Sequence, residues 1–391
     1  MSKLEQLINE LCPDGVEYKP LEECCNILDR QRKPVTKSAR KMGEYPYYGA
    51  NGIQDYVSDY IFDGTFVLVG EDGSVMTKNG NPVVTWAQGK IWVNNHAHII
   101  EEIDGVLLRY LYHYIQTVNV TPFIHGNIPK LTGGDFRAIS IPLPPLPVQE
   151  EIVRILDNFT ELTAELTAEL TARKKQYEYY RDSLLTFNDE VERNKLGDIA
   201  TIVRGGSFQK KDFAETGIPC IHYGQIYTKY KLSATETITF INKDMARKSK
   251  FANKNDIVMA VTSENIEDVC KCLVWLGEKD AAISGHTAII KHNQNSKFLA
   301  YYFRTTMFFK DKMKLAHGTK VIEVTPSKLT NITIPLPPLS EQQRIVNILD
   351  RFDTLCNDIS SGLPAEINAR QQQYEYYRDK LLAFPKVELE V

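Results

Sequence analysis

Two blocks of this 391-residue sequence occur twice, in the same order. Ile141-Pro-Leu-Pro-Pro-Leu-Pro-Val-Gln-Glu-Glu-Ile-Val-Arg-Ile-Leu-Asp-Asn-Phe159 returns as Ile334-Pro-Leu-Pro-Pro-Leu-Ser-Glu-Gln-Gln-Arg-Ile-Val-Asn-Ile-Leu-Asp-Arg-Phe352, an offset of 193 (334 − 141). Tyr177-Glu-Tyr-Tyr-Arg-Asp-Ser-Leu-Leu-Thr-Phe187 returns as Tyr374-Glu-Tyr-Tyr-Arg-Asp-Lys-Leu-Leu-Ala-Phe384, an offset of 197 (374 − 177). A duplication of this kind restricts the chain to two related modules. Fainter echoes join the regions between the blocks: Val16-Glu17 with Val191-Glu192, Tyr48-Gly49 with Tyr223-Gly224, and His96-Ala-His-Ile-Ile100 with His286-Thr-Ala-Ile-Ile290. The order is therefore variable region, spacer, variable region, spacer. A short helix over residues 2–11 precedes the first variable region much as the end of the first spacer precedes the second, so the repeat is nearly circular. This reading gives five segments: 1–12, 13–140, 141–189, 190–333 and 334–391.

The spacers read as helices. Pro142, Pro144, Pro145 and Pro147 prevent helix before them. Ile152, Leu156, Phe159, Leu162, Leu166, Leu170, Tyr177, Tyr180 and Leu184 then recur at helical spacing, which predicts one helix over Pro147–Phe187. About 40 residues at 1.5 Å each span roughly 60 Å. A lone helix of that length needs a packed partner, and the second spacer supplies a matching stripe from Ile345 to Phe384, broken by Ser360-Ser-Gly-Leu-Pro364. Antiparallel packing of the two is expected, with a variable region at either end and a pseudo-twofold relation between them. Within the first helix Thr163-Ala-Glu-Leu166 and Thr167-Ala-Glu-Leu170 form a tandem tetrad of nearly whole turns.

The variable regions read as mixed α/β. Tyr60–Phe62, Phe66–Val69, Ile257–Val261 and Ile289-Ile290 are expected strands, with turns at Asp63-Gly64, Asp72-Gly73 and Asn79-Gly80. Leu107–Thr117 and Lys297–Met307 are expected helices.

The net charge of −4 hides a local bias. Residues 188–333 hold 22 Lys and Arg against 16 Asp and Glu, and six of the 12 basic residues in 13–140 fall between Arg30 and Lys41, where no acid occurs. Local basic surface is what duplex DNA responds to. Arg and Lys read guanine, and Asn and Gln read adenine, in the major groove. The DNA-contact candidates are thus Arg30, Arg32, Lys33, Tyr48, Asn51 and Gln54 in the first region. In the second they are Arg204, Gln209, Lys210, Lys211, Tyr223 and Gln225, followed by Lys310, Lys314 and Lys320.

No catalytic constellation is found. The Gly-x-x-x-x-Gly-Lys-Ser/Thr loop is missing, as is the dinucleotide fingerprint. Asn81-Pro82-Val83-Val84 lacks the second proline and the aromatic with which amino-methyltransferases hold a flipped base. His96, His98 and His286 are expected to be structural. The seven cysteines fit no zinc spacing and read as reduced. No metal and no cofactor is expected on this chain. With no apolar run of about 18 residues and no leader-like start, a cytoplasmic protein is expected.

The Pro-Leu-Pro-Pro-Leu-x-x-Gln lead-in, the Ile-Val-x-Ile-Leu-Asp-x-Phe helix and the Gln-Tyr-Glu-Tyr-Tyr-Arg-Asp-x-Leu-Leu-x-Phe ending resemble the specificity subunit of type I restriction-modification systems. The Leu11-Cys-Pro-Asp-Gly-Val-Glu-Tyr18 opening and Gly362-Leu-Pro-Ala-Glu-Ile367 resemble it too. The resemblance implies two target recognition domains joined by two long helical spacers, each domain reading one half of a bipartite, asymmetric site on double-stranded DNA. It implies that the spacers set the gap and dock two modification subunits that methylate adenine N6 with S-adenosylmethionine. Restriction subunits using ATP and Mg would then join. This chain would itself be non-catalytic. Tyr177, Tyr179, Tyr180, Tyr374, Tyr376 and Tyr377 exceed what one stripe can bury and are candidates for subunit docking. The competing reading is a helical scaffold whose two domains bind ligands other than DNA.

Overall fold

The computed structural model describes residues 2–73, 75–124 and 129–387. It divides into two compact units, Met1–Thr167 with Glu366–Val391, and Ala168–Ala365. The units cut through both spacers. Each combines a variable region with the front half of the spacer that follows it and the rear half of the other spacer. The five segments therefore describe the order of the chain, and the units describe its packing.

The first unit is built on a six-stranded sheet in the order Asn26–Ile27, Ala97–Glu101, Phe62–Gly70, Val84–Val93, Met42–Gly49, Gly52–Val57. Neighbours are antiparallel except Met42–Gly49 and Val84–Val93, which run parallel. Phe66–Val69 lies in a strand as expected, but Tyr60 and Ile61 fall outside it. Asp63-Gly64, expected as a turn, continues that strand, with Gly64 opposite Gly89 in a ladder running from Phe62↔Ile91 to Val69↔Val84. Cross-strand pairing along the whole ladder outweighs the local turn preference of Asp-Gly. One face of the sheet carries Val67, Val69 and Ile100 into a core with Leu108 and Leu111 of the Leu108–Ile115 helix. Val148, Ile152 and Leu156 of the first spacer and Tyr374 and Leu382 of the second close that core. Glu17–Pro20 pairs antiparallel with Ser140–Leu143. Beside it Val16 bridges to Lys386, and the Tyr18 hydroxyl donates to the Phe384 carbonyl at 2.7 Å.

The second unit holds two five-stranded sheets. One runs Ala200–Arg204, Thr287–His292, Ile257–Ala260, Cys272–Trp275, Ser233–Ala234, and the other Phe213–Ala214, Thr239–Ile241, Ile218–Ile221, Ala281–Ile283, Lys250–Ala252. The expected Lys297–Met307 helix is two helices, Ser296–Tyr302 and Thr306–Leu315. The Thr305 hydroxyl accepts from the Phe308 N–H and starts the second one, which is what an N-cap does. Phe298, Leu299 and Phe308 join Ile257 and Ile290 in a core closed by Tyr177 from the first spacer and Ile345 and Leu349 from the second.

The first spacer is a single helix, Leu146–Leu184. Pro147 falls in its first turn, where a missing N–H costs nothing. The second spacer is two helices, Leu339–Asn357 and Leu363–Leu381, broken at the expected place. Asp358 accepts from the Ser360 N–H and from the Ser360 and Ser361 hydroxyls, and a Cβ on Gly362 would meet the Thr354 carbonyl oxygen at 2.4 Å. All seven cysteines are free and buried. Among the described residues no helix is long and apolar enough to cross a membrane.

Candidate DNA interface and helical seams

The side chains that seat the spacers are repeated as closely as the sequence blocks. In the first unit the buried Gln149 amide accepts from the Leu107 N–H at 3.0 Å and donates to the Pro144 and Gly105 carbonyls at 2.8 and 3.2 Å. In the second unit Gln342, equally buried, accepts from the Asn295 N–H at 3.0 Å and donates to the Pro337 carbonyl and the Gln294 side chain, both at 2.9 Å. Farther along each helix Asp157 takes Arg109 at 2.7 Å and His113 at 2.8 Å, and Asp350 takes Lys297 and the Tyr301 hydroxyl, both at 2.7 Å. Each pair of partners lies four residues apart on one helix, so both reach the same carboxylate.

Tyr374 donates to His113 Nδ1 at 2.9 Å, and its counterpart Tyr177 lies against Phe352 with ring centroids 6.3 Å apart. Burial pushes both phenols up to about 12. Arg378 sits over the Tyr374 ring at 5.7 Å and Arg181 over the Tyr177 ring at 5.9 Å. Tyr377 stacks on Phe159 and Tyr180 on Phe352. The six tyrosines thus divide. Tyr177 and Tyr374 belong to the cores and are withdrawn as docking residues, because helical spacing turns them inward. Tyr179 and Tyr376, two residues on, point to solvent at 70% and 61% exposure. Tyr180 and Tyr377 present one face to solvent and the other to a phenylalanine.

The DNA-contact candidates divide in the same way. In the first unit Arg30, Lys33 and Asn51 are exposed. Arg32 turns inward, its Nη1 2.6 Å from both Glu71 Oε2 and the Ala97 carbonyl, with Asp29 at 3.4 Å. Asp29 also holds His98 Nδ1 at 2.6 Å, while His98 Nε2 meets the Leu131 carbonyl and the ring stacks on Phe136. Asp29, Glu71 and His98 lie close enough together to hold a metal ion. The positive charge facing the two carboxylates is the Arg32 guanidinium, joined at Glu71 by Lys130 at 3.3 Å. Tyr48 is buried among Phe62, Ile91 and Val93. Arg32 and Tyr48 are therefore structural, because each points toward the sheet. Gln54 stays exposed, although it accepts from Asn94 at 3.2 Å and lies so close over Gly49 that a Cβ there would overlap its amide.

In the second unit Gln225 is buried, accepting from the His222 N–H at 3.0 Å and donating to Thr239 Oγ1 at 3.1 Å, so it too is structural. Tyr223 is half-buried between the rings of His222 and His286. Gln209, Lys210 and Lys211 are exposed around one short turn. Arg204 is exposed but tied to the Gly285 carbonyl and Glu323. Lys310, Lys314 and Lys320 are exposed, Lys314 pairing with Asp311. Lys312, between two of them, is buried with its amine on the Glu267 and Val269 carbonyls. The sequence reading passed over an aromatic patch on the first unit's sheet. Tyr45 lies 5.1 Å from Tyr60, Lys90 sits 4.7 Å over the Tyr60 ring, and Tyr56 is half exposed. Its only signal was the spacing of tyrosines in and beside short strands.

The chain matches the family described as type I restriction modification DNA specificity domain over residues 13–173 and 188–369. A Haemophilus influenzae protein provisionally named a type I restriction enzyme specificity subunit is 38% identical over 382 residues, 94% of this chain and 96% of its own length. An Escherichia coli type I restriction enzyme specificity subunit is 39% identical over 298 residues, 73% of each chain. Among solved structures, the S subunit of a type I restriction-modification system from Mycoplasma genitalium aligns with a TM-score of 0.54 at 13% identity, covering 94% of this chain and 96% of that one. A chain from a study of complex assembly and conformational transition in the type I R-M system aligns at 0.57 and 17%, covering 95% and 98%. These two likenesses are of fold.

Proposed function

The chain belongs to the type I restriction-modification DNA specificity family, and from that membership we propose that residues 13–140 and 190–333 each read one half of a bipartite, asymmetric duplex site. In this family the specificity subunit supplies sequence recognition and no catalysis. The observation that carries the two-module reading is the seam built twice around Gln149 and Gln342, under variable regions whose surfaces differ. A frame that is kept while its surface changes suits a reader whose target changes. The spacers set the gap between the halves. The exposed Tyr179 and Tyr376 faces dock two modification subunits, which methylate adenine N6 with S-adenosylmethionine. Restriction subunits that use ATP and Mg complete the nuclease, and the assembly works on cytoplasmic DNA. A scaffold with two domains for ligands other than DNA is disfavoured by the family membership.

The test is an exchange. Residues 190–333 are replaced by the matching region of a relative, and methylated adenines are mapped across a genome. One half of the recognised site should change and the other should stay. A change in both halves would refute two independent modules.

A further inference from the structure

The run from Arg30 to Lys41 holds six basic residues and no acid. The structure sorts them by direction. Arg32 and Arg40 point inward and fix the segment. Arg32 binds Glu71, Asp29 and the Ala97 carbonyl. Arg40 donates to the Val35 carbonyl at 3.1 Å, reaches Asp55 at 3.4 Å, and lies 4.1 Å over the Tyr47 ring. The backbone is fastened as well. The Lys33 N–H donates to the Val93 carbonyl at 3.2 Å, and the Trp92 indole donates to the Lys33 carbonyl at 2.7 Å. The Val35 N–H donates to the Tyr47 hydroxyl at 3.0 Å. Two 3₁₀ turns, Asp29–Gln31 and Lys37–Ala39, and the rigid Pro34 complete the shape.

Among the described residues the side chains of Arg30, Lys33, Lys37 and Lys41 make no such inward bonds. All four are exposed, and among the described residues none forms an ion pair. Elsewhere in the unit Arg109, Arg154 and Lys130 each have a carboxylate partner, while Lys78 and Lys90 are exposed like these four. Four exposed cations close together in sequence, on a backbone already tied to a sheet, can meet polyanion charge without that backbone first being ordered. Three of the four are lysines. A lysine amine is a point charge that suits a phosphate oxygen and needs no planar, two-pronged partner.

We propose that the Arg30–Lys41 segment is a preformed phosphate clamp through which the first unit grips the backbone of duplex DNA, contributing affinity and register while base identity is read elsewhere on the unit. This rests on the DNA-reading role above and assigns part of it to particular residues.

The experiment uses the full chain carrying Arg30→Gln, Lys33→Gln, Lys37→Gln and Lys41→Gln, with a duplex of arbitrary sequence as the probe. Affinity is measured from about 50 to 200 mM salt. Each phosphate that is no longer neutralised should lower the magnitude of the slope of log K against log salt by about 0.9, so the quadruple variant should lose about 3 to 4. The base identities of the methylated sites should not change. An unchanged slope in a variant that melts like the parent overturns the clamp. If the fourfold change disturbs folding, the pairs Lys33/Lys37 and Arg30/Lys41 are tested separately, each expected to lower the slope by about 1.8. Arg32→Gln is the discriminating control. Its charge is spent on Glu71 and Asp29, so it should lower the melting temperature and leave the slope as it was. A fall of about 0.9 in that variant would place Arg32 on a phosphate and overturn its role as a fastening. A parent chain whose duplex affinity ignores salt would instead sink the DNA-reading role itself.

Discussion

Gln149 and Gln342 occupy positions where a buried apolar side chain would ordinarily be expected, and each makes three hydrogen bonds there. Removing the amide leaves one N–H and two acceptors unpaired, one of them the buried carbonyl of Pro144 or Pro337, a loss of about 1–3 kcal/mol. Gln149→Ala and Gln342→Ala should each destabilise their own unit by that amount. Gln343→Ala, on an exposed neighbour, should change stability by less than about 0.5 kcal/mol. Urea denaturation with hydrogen-exchange readout by unit would measure this. Equal effects at 342 and 343 would refute the seam. The glutamine was visible in the sequence, since it is identical in both repeats, yet its burial was not. A polar residue early in a helix reads as solvent-facing until the partner backbone at Leu107 or Asn295 is in place. Arg32, Tyr48 and Gln225 misled for the same reason. Residue type announces what a side chain can bind, while direction depends on strands distant in sequence.

The Leu146–Leu184 helix was legible nearly to its ends, as was the break after Asn357, because proline, glycine and apolar spacing act locally. The break at Thr305 and the strand through Asp63-Gly64 were not, because a cap and a cross-strand ladder overruled the local pattern. Within the long helix the tetrad is lightly covered: Leu162 is 36% exposed, and Thr163 and Thr167 bond back to the carbonyls of Phe159 and Thr163. That makes it a segment whose length can change. Deleting Thr163–Leu166 shortens the helix by about 6 Å and turns it by roughly 400°, a net rotation of only about 40°. The protein should fold, and the gap between half-sites should shrink by one to two base pairs at about 3.4 Å each. Methylation mapping should return the same half-sites, closer together. Retained activity with an unchanged gap would show that this helix is not the ruler.

A molecule that carries the same seam twice offers the same exposed tyrosine twice. Tyr179→Ala or Tyr376→Ala alone should leave one modification subunit bound, and the double variant should bind none, as measured by the mass of the purified complex. Two subunits retained on the double variant would remove these tyrosines from docking. The near-circular order seen in the sequence has a physical counterpart in the first unit, where Val16 meets Lys386 and Tyr18 meets Phe384. That closure bears on how the chain is made. The second unit is one continuous stretch of 198 residues (365 − 168 + 1), whereas the first lacks Tyr374 and Leu382 until that stretch has been translated. At about 5–20 residues per second the delay is roughly 10–40 s. On the ribosome, the domain begun first is the last to finish. Throughout the wait Val148, Ile152 and Leu156 lack the part of their cover that Tyr374 and Leu382 supply.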